Sequence, residues 1–281
     1  MTLRDLLLAV IALLGGAAVG SACTVVIDRL PRRMEQPNEH GELVDTRPWS
    51  EVLSGPSRCS GCGAPIRSID NVPVVSALML RGKCRSCGAG FGRWHAMVEL
   101  AVPLVGLALV LGLGATWFLV PVLVAVPALV CVAWIDARFL IVPTSIVWPA
   151  FGAVVVSSVV AAFVESKPEV LVSSALGVAV LAGPLAALWW FMPRGMGFGD
   201  VRLAVLLGWM VGLVAGRTAT VVLASIGVLV VASLIGVVGT LIRGRLGDPL
   251  PFGPPLVAAA LLAVAMSPVI DRAVATRLLG N

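Results

Sequence analysis

Thr116–Pro143 reads TWFLVPVLVAVPALVCVAWIDARFLIVP. Its first part, 116–135, carries no charged residue, and about 20 helical residues cross a hydrocarbon core about 30 Å thick. The run therefore reads as a transmembrane helix. Asp136 stands where that helix meets a short loop closed by Pro143. An ionisable group at the edge of a bilayer is costly, which makes it a functional candidate by default.

Similar apolar runs lie on both sides, at 6–27, 96–113, 145–164, 170–191, 201–216, 218–241 and 254–270. The whole chain of 281 residues is 59% hydrophobic and 12% charged, about half the charged fraction of a soluble domain. A transmembrane β-barrel would need strands of about ten residues alternating in polarity, and these runs do not alternate. The expected fold is an all-α polytopic membrane protein of about eight transmembrane helices. The first run, Leu6–Ile27, is long enough to span and no A-x-A cleavage site precedes the polar segment, so a retained helix is expected. The organisation read from this pattern is a first helix (1–27), a loop domain (28–95) and a membrane core (96–281).

The net charge of +5 sits largely in one loop and reads as topology rather than as a nucleic-acid footprint. The loop 28–95 holds Arg29, Arg32, Arg33, Arg47, Arg58, Arg67, Arg81, Lys83, Arg85 and Arg93. The positive-inside rule places it in the cytoplasm and the N-terminus outside. Strict alternation then puts Arg138, Arg194, Arg243 and Arg245 inside as well, and leaves Arg4, Lys167, Arg217, Arg272 and Arg277 outside. The same parity brings Asp136 and Asp200 to one face, the cytoplasmic one. The stretch 34–57 is polar and rich in Pro and Gly, and reads as irregular.

Four of the six cysteines form two C-x-x-C pairs, Cys59/Cys62 and Cys84/Cys87, separated by 21 residues and each followed by glycine. This is the spacing of a structural four-thiolate zinc site with a slightly long gap, able to fold a loop too small to build its own core. Disulfide or redox roles are the competing readings. A cytoplasmic loop argues against stable disulfides, and four thiolates leave no open position for catalysis. Cys23 and Cys131 lie inside apolar runs and read as packing residues.

Asp200 closes the segment Gly195-Met196-Gly197-Phe198-Gly199-Asp200. As a plain structural residue it would be a helix N-cap, but a cap alone does not need the glycines, which permit close backbone approach and positive φ. Asp136, read plainly, is a solvated helix-end acid, yet an acid at a helix C-terminus opposes the macrodipole. Two carboxylates on one face suggest a coupled pair sharing a proton. One would take a proton from water while the other polarises a carbonyl. The only histidines are His40 and His95, and neither an HExxH helix nor a P-loop is present. A proton-relaying transporter or channel, and a non-catalytic scaffold whose cysteine loop docks a partner, remain the alternatives.

Several segments together carry a resemblance. GSACTVVIDRLP (Gly20–Pro31), IDNVPVVSALMLRGKCRSCG (Ile69–Gly88), FGRWHAMVEL (Phe91–Leu100), Ile135-Asp136 with Pro143, GFGDVRL (Gly197–Leu203) and PFGP (Pro251–Pro254) occur in this order. The sequence resembles the type IV prepilin leader peptidases, members of the GxGD class of membrane aspartyl proteases. The resemblance implies cleavage of a short basic leader from prepilins or pseudopilins, just after a glycine, at the cytoplasmic face of the bacterial inner membrane. Asp136 and Asp200 would be the catalytic pair, with Gly197 and Gly199 in the active-site loop and Cys59, Cys62, Cys84 and Cys87 as zinc ligands. Many members also methylate the new N-terminus with S-adenosylmethionine. The chain departs from the pattern at Thr144, where the family has Asp or Asn, and at Thr24, where it has Asn in the segment linked to methylation. The length of 34–57 is also extra, and no Rossmann-type glycine fingerprint supports methyl transfer.

Overall fold

The structure is a computed structural model that describes residues 3–31, 49–55, 57–59, 61–67, 79–80, 82–90, 94–193, 196–243 and 250–278. Most of the 34–57 stretch, the segments 68–78 and 91–93, and Arg194 with Gly195 lie outside the described residues. The elements are helices: α1 (Leu3–Arg29), α2 (Trp49–Leu53), α3 (Trp94–Leu113), α4 (Leu119–Phe139), α5 (Thr144–Val164), α6 (Glu169–Phe191), α7 (Phe198–Val214), α8 (Thr218–Arg243), α9 (Gly253–Ala265) and α10 (Ser267–Leu278). Six of them, α1, α3, α4, α5, α6 and α8, are long and apolar enough to cross a membrane. The pair α9 and α10 adds a seventh only if taken as one span, because it bends by 64° at Met266. The expected run at 201–216 is the 17-residue α7, shorter than a full crossing of about 20 residues. Interior prolines at Pro103, Pro127, Pro149 and Pro184 sit within α3, α4, α5 and α6, as membrane helices tolerate when neighbours satisfy the freed carbonyls.

The chain packs as two compact units. One comprises Ala9–Leu107. Here α1 lies against the first half of α3 at two glycines. A Cβ on Gly16 would stand 2.7 Å from the Pro103 Cα, and one on Gly20 would stand 3.0 Å from the Glu99 Cα, so small residues let the two backbones meet. The Arg29 guanidinium, at the end of α1, donates to the carbonyls of Val52 (2.9 Å) and Ser54 (2.7 Å). A cation there answers the unpaired carbonyls at the end of α2.

The other unit comprises Met1–Leu8 and Ala108–Asn281. Its tightest seam joins α6 and α7. A Cβ on Gly208 would lie 2.5 Å from the Gly177 carbonyl oxygen, and one on Gly212 would lie 2.6 Å from the Ser174 Cα. Side chains at these positions would force the helices apart. Ser174 fits the seam because its hydroxyl donates to the Val170 carbonyl of its own helix at 2.8 Å. Ser158 does the same on α5, donating to Val154 at 2.7 Å, and also receives the Trp209 indole N–H from α7 at 3.2 Å. These contacts fix α7, and with it the position of Asp200.

Two helix ends are closed by carboxylates. Glu165 follows α5 and accepts from the Trp117 N–H (3.0 Å) and the Thr116 hydroxyl (3.3 Å) just ahead of α4. It thereby ties down the turn that leads into α4. Asp271 of α10 accepts from the Thr220 hydroxyl at 2.6 Å and pairs with Arg217, which joins α10 to the start of α8.

Candidate active site and cysteine cluster

Asp136 lies in the last turn of α4 and is 4% exposed. The helix stops at Leu140, whose backbone is left-handed (φ 57, ψ 37) and whose N–H returns to the Asp136 carbonyl. One carboxylate oxygen, Oδ2, accepts the Gly253 N–H at 2.9 Å. Gly253 opens α9, so the acid faces the positive end of that helix. A Cβ on Gly253 would stand 2.8 Å from the same oxygen, closer than a carbon can approach. Glycine at 253 is thus a condition of this contact. Asp136 is a buried acid held by another helix, not the solvated helix-end residue of the plain reading.

Asp200 is the third residue of α7 and is 9% exposed. The N-cap is Gly197, in extended backbone (φ −69, ψ 137), and the Asp200 N–H bonds its carbonyl at 3.2 Å. Asp200 is therefore not the cap, which frees its carboxyl from that duty. Gly197 does not need its glycine for positive φ, and Gly199 is not among the positive-φ glycines either. The reason for Gly199 is close approach. A Cβ there would stand 2.7 Å from the Val142 Cβ, in the loop between α4 and α5. The loop that follows Asp136 thus lies on the turn that carries Asp200, and the two acids are within electrostatic reach of each other. Among the described residues, the Asp200 carboxyl receives no hydrogen bond.

Three segments far apart in sequence therefore converge: Ile135–Pro143, Gly197–Asp200 and Phe252–Pro254. The sequence singled out the first two for their acids. It did not indicate that Gly253 meets Asp136 across 117 residues. The PFGP element was the available signal, a glycine between prolines opening an apolar run.

In the other unit the four sulfurs of Cys59, Cys62, Cys84 and Cys87 all lie within 4.8 Å of one another. The two halves repeat each other. Gly63 and Gly88 share φ +70. The Gly63 N–H bonds the Cys59 carbonyl and the Gly88 N–H bonds the Cys84 carbonyl, each at 2.9 Å. The Cys59 N–H reaches Ala64 at 2.9 Å and the Cys84 N–H reaches Ala89 at 2.7 Å, with bridges Arg58–Pro65 and Lys83–Gly90 closing each turn. The sequence signal was the repeated C-x-x-C-G-A, Cys59–Ala64 and Cys84–Ala89. A metal–sulfur bond of about 2.3 Å in tetrahedral geometry gives sulfur–sulfur edges of about 3.8 Å, and Cys59 and Cys87 are 3.8 Å apart. That separation matches such an edge and is far beyond a disulfide bond of about 2.05 Å. Backbone N–H groups also face the sulfurs, as in Gly61 N–H to Cys59 Sγ at 3.4 Å. The N–H groups of Cys87 and Ser86 hold the Cys84 thiol down at about 6. At Cys87 the Ala89 N–H favours the thiolate, but the Cys62 sulfur, burial and the other two sulfurs outweigh it, and the thiol is pushed up to about 11. Crowded thiols of this kind are relieved when a cation neutralises them, so the donor set fits a bound metal.

Taken together, the long apolar helices and the two buried acids at converging helix ends define a multi-pass membrane protein with an acid-pair site. The chain matches the model of the bacterial peptidase A24 N-terminal domain over residues 14–113 and that of the type IV leader peptidase family over residues 123–241. It is 31% identical to the prepilin leader peptidase/N-methyltransferase of Pseudomonas aeruginosa, over 92% of this chain and 90% of that one. It is 29% identical to the protein of the same name from Aeromonas hydrophila, over 90% and 89%. It is also 29% identical to the type 4 prepilin-like proteins leader peptide-processing enzyme of Escherichia coli, over 87% and 89%. The chain belongs to the type IV leader peptidase family. No solved structure matches it.

Proposed function

We propose that this protein removes the basic leader from type IV prepilins or pseudopilins at the cytoplasmic face of the bacterial inner membrane, with Asp136 and Asp200 activating the attacking water. The observation that carries the reading is the convergence of the Asp136 loop, the Gly197–Asp200 turn and the Gly253 helix start in one unit. Family membership and the relatives' names supply the substrate class.

The chemistry follows from two neighbouring carboxyls that cannot both ionise cheaply and so share one proton. The ionised one takes a proton from water as its oxygen attacks the scissile carbonyl, while the protonated one donates a hydrogen bond to that carbonyl. The tetrahedral intermediate then collapses. The carbon–nitrogen bond breaks, the leaving amine takes a proton from the pair, and the leader departs with a new carboxylate. Gly253 fixes one oxygen of Asp136, so proton exchange runs through the other. A scaffold requires no such under-partnered pair, and a proton-relaying transporter would use one but would cleave no peptide. Asp136→Asn and Asp200→Asn, expressed separately, should each leave prepilin at its full size on a gel. Normal processing by either variant rejects the paired mechanism.

In the same proposal Cys59, Cys62, Cys84 and Cys87 hold a structural zinc ion that folds their loop. Cys59→Ser or Cys84→Ser should lose bound metal and thermal stability before the chemistry fails. Purified wild-type protein free of zinc, with the four thiols paired as disulfides, would contradict this. The relatives' names add N-methyltransferase, and methyl transfer from S-adenosylmethionine to the new N-terminal amine is the second half of the proposal. Thr24 does not fit a role in holding that cofactor. It is buried, and its hydroxyl is committed to the Ser21 carbonyl of its own helix at 2.7 Å. Mass spectrometry of the mature pilin's N-terminus reads both the cut and any added methyl.

A further inference from the structure

We propose that Arg202 and Thr144 form a positioning clasp that sets the spacing of Asp136 and Asp200, an inference that rests on the catalytic reading of those acids. Thr144 is the first residue of α5 and directly follows the loop that leaves Asp136. Arg202 lies two residues beyond Asp200 in α7. The Arg202 guanidinium donates to the Thr144 hydroxyl, which ties the two acid-bearing segments by a directional bond. The same guanidinium stands over the Phe198 ring, 4.7 Å from its centre, and Phe198 rests against Trp189 of α6, ring centres 4.6 Å apart. No carboxylate pairs with Arg202 among the described residues.

The clasp answers a geometric need. Gly199 against Val142 lets the loop and the turn approach closely, but a contact between a bare backbone and a methyl-bearing carbon does not fix how one slides over the other. A hydrogen bond does, because it weakens steeply with misalignment. A planar guanidinium can offer its edge to a hydroxyl and its face to an aromatic ring at once. Thr144, the position where the sequence departs from the family's acid or amide, is thus served by a partner that needs only a hydroxyl acceptor. The pair touches no substrate. It acts through the placement of the two aspartates.

The test measures prepilin cleavage by the full chain, with thermal unfolding followed in parallel. Thr144→Ser keeps the hydroxyl and should cleave like wild type. Thr144→Val keeps the shape without the hydroxyl, and should lower kcat about ten- to hundredfold while KM stays within about twofold, as expected when reacting groups are misplaced but binding is intact. Arg202→Met should give a similar loss. The double variant should be no worse than Arg202→Met alone, because one bond is being removed twice. Equal kcat for the Val and Ser variants, or a double loss equal to the product of the single losses, overturns the clasp. If Arg202→Met fails to fold, the Val and Ser pair at Thr144 decides alone. An inert Asp136→Asn beside a fully active Thr144→Val overturns the clasp only. An active Asp136→Asn overturns the catalytic reading and the clasp with it.

Discussion

At the start of α4, Glu165 accepts two hydrogen bonds, from the Trp117 N–H and the Thr116 hydroxyl. At its end, Asp136 accepts one, from the Gly253 N–H. The same contrast runs along the next pair of helix ends. Past the end of α7, Asp271 is held by Arg217 and Thr220, whereas at the start of α7 Asp200 receives no hydrogen bond from a described residue. The better-partnered acids are also the more exposed ones. Asp271 is 23% exposed against 4% and 9% for Asp136 and Asp200. A structural acid in an apolar protein is satisfied by donors and left near water. An acid that is buried and under-partnered costs stability, and that cost is tolerated where the acid does chemistry.

The contrast is broken most sharply by neutralising acids at both ends. Asp136→Asn or Asp200→Asn should lower cleavage by about 10²- to 10⁴-fold, the scale of a lost acid–base group, while thermal stability holds or rises because a buried charge is gone. Glu165→Gln and Asp271→Asn should do the reverse, keeping cleavage and lowering the melting temperature by a few degrees. If Glu165→Gln abolishes cleavage at an unchanged melting temperature, the division between the two ends fails. Next in size is Gly253→Ala. The added methyl would stand 2.8 Å from Asp136 Oδ2, so either the carboxylate or the start of α9 must move. A displacement of about 1 Å is enough for a loss of about a hundredfold in kcat. Alanine at 253 with wild-type kinetics would show that this hydrogen bond does not position the acid.

The sequence made some of this visible and hid the rest for physical reasons. The run 116–135 read as a helix because a charge-free stretch of that length has few other solutions. The four cysteines were visible because chelation imposes local spacing. The acids stood out because charge at an apolar boundary is costly. What the acids touch was not visible. Gly253, Val142 and Arg202 meet their partners through tertiary packing, which leaves no periodicity to read. The α6–α7 seam lies between. Gly208 and Gly212 have G-x-x-x-G spacing, a recognised close-packing signal, but in a chain with 30 glycines that spacing alone does not name Gly177 as the partner. The break of one expected run, 254–270, into α9 and α10 at 64° had a signal in Ser267-Pro268 at the bend, since proline favours the first turn of a new helix and disfavours helical backbone in the residue before it, but the apolar run around it reads as one span.

A gentler way to sharpen the comparison uses pH. The Trp117 N–H holds the Glu165 carboxyl below its ordinary value, helped by the Thr116 hydroxyl and by Lys167 and Arg4. A depressed folded value means that Glu165 contributes stability above its unfolded value, about 4.3, and that the contribution is lost as pH falls through the lower folded value. Wild-type protein should therefore lose melting temperature as pH drops below about 4.3, and Glu165→Gln should be flatter over that range. Identical slopes for the two proteins would remove Glu165 from the list of stabilising acids.

The smallest expected effects come from the backbone beside each acid. Leu140 (φ 57) and Ser166 (φ 52) are the non-glycine residues with positive φ among those described. Leu140 comes four residues after Asp136, and Ser166 directly follows Glu165. Left-handed backbone costs a side-chain-bearing residue about 1–2 kcal/mol, and glycine relieves that while adding about 0.5–1 kcal/mol of unfolded-chain entropy. Leu140→Gly and Ser166→Gly should therefore each gain less than about 1 kcal/mol. The Leu140 side chain is 48% exposed, so little burial is given up. Their effect on cleavage should differ. The Leu140 N–H closes the turn that carries Asp136, and freeing that turn should lower kcat by about twofold or less through looser positioning. Ser166→Gly, at the far end of α5, should leave kcat alone. Equal kinetics in the two variants would mean that the left-handed turn at Leu140 only ends a helix, as the one at Ser166 does, and that Asp136 is held by Gly253 without help from its own chain.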